Sequence, residues 1–194
     1  MLSSALSRGL SRTLDSALTG VIVPVTSGMT LTASWVTRGT SYSTIANTTA
    51  ASVRVDATIS NTDSGILMES GATGTGSILY VYAGVLYFQC GNGSAFGPSP
   101  SRAEIPYTLP AATIKPIIEW SADTSNAVLY IDGAKVGSQT FSEVDVSGGD
   151  SGTIGQVSNS VPVNRGGWTT NGQGSYTNTI ELCRIFNGQV TPQV

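Results

Sequence analysis

Histidine is absent from this chain of 194 residues. Its absence excludes imidazole acid–base catalysis, histidine-based nucleophilic triads and most zinc sites. Charge is scarce as well: Asp, Glu, Lys and Arg supply 11% of the residues, against roughly a quarter in an ordinary soluble domain. The formal net charge is −3 and no basic cluster interrupts the sequence. A nucleic-acid partner is therefore not expected, because phosphate backbones call for Lys and Arg grouped on one face. No apolar run approaches the ~20 residues of a membrane span, so a membrane partner is not expected either. Two cysteines, Cys90 and Cys183, allow one disulfide at most, and two buried free thiols are the expectation under a cytosolic redox poise.

What the chain has is apolar content of 40%, enough to fill one substantial core, and a polar surface made mostly of Ser, Thr, Asn and Gly. Strand-like segments follow one another from Val21 onward. Ala51–Ile59 alternates most cleanly, with Val53, Val55, Ala57 and Ile59 on one face and Arg54, Asp56 and Thr58 on the other. Gly65–Glu69, Ser77–Ala83 and Val85–Cys90 come next, the last two joined by a tight turn at Ala83-Gly84. The stretch Ile117–Thr140 reads as a three-stranded meander: Ile117–Trp120, a turn-forming cluster Ser121–Asn126, Ala127–Ile131, an Asp132-Gly133 turn, and Ala134–Thr140. Asp-Gly between strand-like runs is a strong hairpin signal, because a primed turn needs positive φ. The apolar succession Val128–Ile131 predicts a strand covered on both faces. A polar loop, Ser158–Asn178, precedes a last strand at Thr179–Phe186. Eleven to thirteen short strands predict an all-β, two-sheet antiparallel sandwich.

The exception is the N-terminus. Leu2, Leu6, Leu10, Leu14 and Leu18 recur every four residues, which predicts a short helix with a drifting apolar stripe. Ser7, Arg8 and Gly9 break the continuous apolar core that a secretory signal would need. Two readings stand: an arm over residues 1–28 that anchors the protein on another subunit or particle, or a helix packed on its own domain. Residues 29–194 form the sandwich.

Four places in that sandwich occur in the order found in concanavalin A-like, laminin-G-like jelly rolls: WVT at Trp35–Thr37, the Gly65–Cys90 series ending LYFQC, VLYIDGAKVG at Val128–Gly137, and IELCRIFNGQVTPQ at Ile180–Gln193. Over about residues 29–190 the chain resembles that fold. The resemblance implies a jelly-roll sandwich but does not choose a function, since the fold serves glycan binding, hydrolysis and plain structural roles.

Hydrolases of this fold place paired carboxylates on one strand in a Glu-x-Asp-x-x-Glu-like run. Here Glu69, Glu104, Glu119, Glu143 and Glu181 are each isolated, and Arg54 with Asp56 reads as an exposed ion pair, so no enzyme and no catalytic residue are expected. No cofactor and no metal site are expected. A structural calcium ion is the one candidate, with Asp145, Asp150, Asp123 and Asn126 as oxygen donors, but the same residues serve equally as turn formers. The binding candidate is the 158–178 loop, where Trp168 and Tyr176 stand among Asn164, Arg165 and Asn171. An aromatic face with planar amide and guanidinium groups suits a sugar, and the same residues suit a protein interface.

Two functions are weighed on these features. The first expectation is a virion structural protein, a capsid-decoration or other surface protein of a tailed bacteriophage. It would assemble in the host cytoplasm as a homo-oligomer, with a trimer expected, and pack on the major capsid or other virion proteins through the Leu2–Leu18 arm. The alternative is a carbohydrate-binding, receptor-recognition protein that binds host surface glycans.

Overall fold

The computed structural model describes residues 28–32, 40–42, 50–71, 75–92, 100–142, 152–155, 164–165, 168–169, 176 and 178–187. Fourteen strands lie among them. They are β1 (Gly28–Thr32), β2 (Thr40–Tyr42), β3 (Ala50–Ala57), β4 (Gly65–Gly71), β5 (Thr75–Tyr82), β6 (Val85–Asn92) and β7 (Arg102–Thr108). The second half supplies β8 (Ile117–Asp123), β9 (Asn126–Ile131), β10 (Ala134–Thr140), β11 (Gly152–Ile154), β12 (Asn164–Arg165), β13 (Trp168–Thr169) and β14 (Ile180–Asn187). Sheet I has the order β1-β14-β3-β8-β9-β10 and sheet II the order β2-β11-β4-β5-β6-β7. All neighbours in both are antiparallel.

The period-2 pattern of β3 does what it predicts. Val53, Val55, Ala57 and Ile59 are buried between the sheets, facing Leu79, Val81, Leu86 and Phe88 of sheet II in one contiguous core. Phe88 and Trp120 meet across the sandwich with ring centroids 4.6 Å apart and planes 16° from parallel, an offset stack that adds to the area they bury. Cys90 and Cys183 sit in the same core as free thiols. Desolvation pushes both far above the ordinary thiol range, which makes them inert apolar filling.

Both tight turns form as expected. Ala83 and Gly84 have φ of 50° and 79°, and Asp132 and Gly133 have 51° and 78°, the paired positive values of a type I′ turn. Asp132 also accepts a hydrogen bond from the Ile117 N–H at 2.8 Å, tying the turn to the start of β8.

Three expectations change. β8 continues to Asp123 and so takes in half of the cluster read as a turn. Asp123 Oδ1 accepts from the backbone N–H groups of Ser125 and Asn126, each at 2.7 Å, so the chain reverses only at its end. β9 buries Leu129 and Ile131 while Val128 and Tyr130 are half-buried, so it has one core face instead of two. The 158–178 loop holds a small ribbon, β12 paired with β13; the Gly166-Gly167 dipeptide between them is a hairpin signal that the overall polarity of the stretch concealed. Most of the 1–28 arm, with the Leu2–Leu18 stripe, lies outside the described residues.

Candidate functional site

Because β3 alternates, its second face must carry Ser52, Arg54 and Asp56 away from the core. Register then decides what stands beside them. Thr30 of β1 is opposite Arg184 of β14, and Arg184 is opposite Arg54. Arg54 is opposite Glu119 of β8, Glu119 opposite Tyr130 of β9, and Tyr130 opposite Lys135 of β10. One transverse row therefore crosses all six strands of sheet I. Three of the chain's 9 Lys and Arg residues stand in it, a concentration that matters in a sequence so poor in charge.

The middle of the row is recessed. Glu119 is 7% exposed. Ser52 and Ser121, in the adjacent row, are buried as well and share a hydroxyl–hydroxyl hydrogen bond of 3.1 Å. Arg54 grips Asp56 with two parallel bonds, Nε to Oδ1 and Nη2 to Oδ2, each 2.8 Å. Their side chains are 17% and 22% exposed, so the pair expected on the open surface is partly withdrawn from water, which strengthens it. No described residue hydrogen-bonds the Glu119 carboxylate. Burial raises its pKa from the ordinary carboxylate range; Arg54 opposes the shift and Asp56 adds to it. Tyr130, beside it, is raised by desolvation and then by the Glu119 charge. The result is a shelf holding a committed ion pair, an unbonded carboxylate, two hydroxyls and a half-buried tyrosine ring.

Sequence reasoning missed Glu119 because it is the lone charge inside the apolar run Ile117–Trp120 and has no carboxylate near it along the chain. Its signal was that isolation: a charge between core residues of a strand must face the other side. The residues favoured instead are placed differently. Asn164, Arg165 and Trp168 lie on the β12–β13 ribbon, with Arg165 directly opposite Trp168 in backbone register; Asn171 and Leu2, Leu6, Leu10, Leu14 and Leu18 lie outside the described residues. Tyr176 is a correction. It is fully buried, and its hydroxyl donates to the Thr58 carbonyl and to Asp63 Oδ2. Its side chain closes the end of the sandwich and is not available to a ligand, because an aromatic ring that can satisfy its polar tip inside the fold gains more by burial than by exposure.

Asp123 is spoken for by its turn, and among the described residues no group of three or more His, Cys, Asp or Glu side chains gathers to hold a metal. The outer face of sheet II has a different character. Ile66, Ile78 and Tyr80 are fully buried there, with Tyr82 and Tyr87 packed on them. Tyr80 and Tyr87 stack at 5.0 Å.

No protein-family model matches the sequence, and no curated protein matches it either. Solved structures do. The CBM40 domain of the Ruminococcus gnavus IT-sialidase, bound to alpha2,3 sialyllactose, superposes with a TM-score of 0.54 at 14% identity over 84% of this chain and 91% of that one. The fold is a concanavalin A-like, laminin-G-like sandwich. The binding domain of botulinum neurotoxin DC, in complex with rat synaptotagmin II, gives a TM-score of 0.50 at 13% identity, covering 73% of this chain and 33% of that one. Domains LG4-5 of the mouse laminin alpha1 chain give 0.48 at 16% identity, covering 84% and 40%. At these identities the likeness establishes the fold alone.

Proposed function

We propose that this chain is a carbohydrate-binding module that holds a glycan against the outer face of sheet I, binding it without turning it over. The supporting observation is the row Arg184, Arg54, Glu119, Tyr130 and Lys135, one residue from each of five adjacent strands. Sugars present hydroxyls at fixed spacing and an apolar C–H face, so planar charged groups beside an aromatic ring on a rigid sheet are the chemistry that recognises them. The CBM40 likeness adds a precedent for a sugar-binding domain on this fold. Particle packing as a virion protein rests on the Leu2–Leu18 arm, which lies outside the described residues, and so draws no support here.

A glycan array followed by calorimetric titration tests the proposal. Saturable binding to a subset of glycans is expected. Tyr130→Ala should weaken it roughly fivefold, the equivalent of about 1 kcal/mol, while Thr108→Ala on the exposed edge of sheet II leaves it unchanged. No saturable glycan, or full affinity in the Tyr130 variant, would overturn the reading.

A further inference from the structure

We infer that the preferred glycan is neutral and that Glu119 selects it by accepting hydrogen bonds from two adjacent hydroxyl groups. The inference rests on the carbohydrate-binding reading and narrows it. Arg54 is the cation in the middle of the row, and its guanidinium is already paired with Asp56. What the centre still offers is acceptor capacity: Glu119 is a largely buried residue, 7% exposed, and its carboxylate takes no hydrogen bond from any described residue. An ionised carboxylate has two oxygens and no donor. A carboxylate partly withdrawn from water and without a protein donor gains from a pair of O–H donors. An acidic sugar seated on Glu119 would bring its own carboxylate beside Glu119 and Asp56, two like charges, while the row's other basic positions, Arg184 and Lys135, each stand two strands from Glu119. An ammonium ligand would satisfy Glu119 but would meet Lys135 on the same row. A vicinal diol meets neither objection. Tyr130 on the next strand can then take the sugar's C–H face.

The site's charges make the choice falsifiable. Titrating Glu119 feels Arg54 and Asp56 from β3, with the neutral Tyr130 ring beside it on β9, so a ligand that needs its ionised form must bind less tightly as the pH falls into the acid range.

The test is an array of neutral and sialylated or uronate-bearing glycans. The best binder is then titrated into the wild type, Glu119→Gln and Tyr130→Ala, and an O-methylated analogue of the sugar is titrated into the wild type. A neutral binder is expected, losing ~10-fold or more affinity in Glu119→Gln with no fall in Tm, and losing as much when its diol is methylated. Preference for acidic glycans, or full affinity in Glu119→Gln and for the methylated sugar, would overturn the neutral-diol assignment and leave glycan binding standing. Absence of any glycan signal, with binding to a protein partner instead, would overturn both. The methylated sugar decides the matter even if the Glu119 variant does not fold.

Discussion

Replacing Tyr176 with phenylalanine removes one oxygen and leaves two acceptors, the Thr58 carbonyl and Asp63 Oδ2, without their shared donor. Asp63 keeps the Ser60 N–H at 2.7 Å and the Asn178 amide at 3.4 Å, so the turn it organises survives. A buried acceptor left unsatisfied costs about 1–2 kcal/mol. Tyr176→Phe should therefore lower Tm by roughly 2–8 °C in thermal denaturation while leaving glycan affinity untouched. An unchanged Tm would show that the hydroxyl bonds contribute nothing net. The same residue shows how composition misleads at this scale: a tyrosine in a polar stretch looks like a binding residue until its hydroxyl is found to have two partners inside the fold.

At the scale of elements, the two type I′ turns have the same geometry and different chemistry. Asp132-Gly133 places an Asp at φ 51° and uses its carboxylate to cap the start of β8. Ala83-Gly84 places an alanine at φ 50°, where an L side chain crowds its own backbone at a cost of roughly 1–2 kcal/mol and no polar group compensates. Ala83→Asn should accordingly stabilise the β5–β6 hairpin, raising stability by about 0.5–1 kcal/mol in denaturant titration. A neutral or negative result would mean that the turn's strain is relieved elsewhere. Glycine at position 91 is a different case, because a Cβ there would run into the Ser101 carbonyl at φ 106°. Close approach of β6 to the turn before β7 requires the missing side chain.

Over the whole molecule the carboxylates divide. Glu119 has its pKa raised by burial; the folded state holds that proton more tightly, so its contribution is full below the unfolded value and is lost as pH rises through the raised one. Glu181 has its pKa lowered, chiefly by its hydrogen bond from Lys115 at 3.0 Å, so its contribution is full above the unfolded value and is lost as pH falls through the lowered one. Their contributions therefore oppose each other: Glu119 favours the acid side of its raised value and Glu181 the alkaline side of its lowered one. Thermal denaturation should show Tm falling in the wild type as pH rises from the ordinary glutamate range through the raised Glu119 value, and Glu119→Gln should flatten that slope. A slope unaltered in the variant would sink this assignment. A gain in stability at neutral pH together with lost glycan affinity is what a site residue kept at a cost to the fold produces.

The sequence by itself determined the layers. Alternation in β3, the Asp-Gly turn and the absence of histidine are local or compositional facts, and they led to the all-β sandwich, the hairpins and the two free thiols without any knowledge of distant contacts. Side chains on one strand can be assigned to faces from period alone, because the pleat repeats every two residues. Which strand lies beside which is not local. Arg54 and Glu119 are separated in the chain by four strands of sheet II, β4 to β7, and only antiparallel register makes them neighbours. The same holds for Tyr176, whose partners Thr58 and Asp63 are fixed by closure of the sandwich end. Thus the scaffold follows from periodicity, while the shelf on sheet I follows from pairing between segments far apart in the chain, which periodicity does not encode.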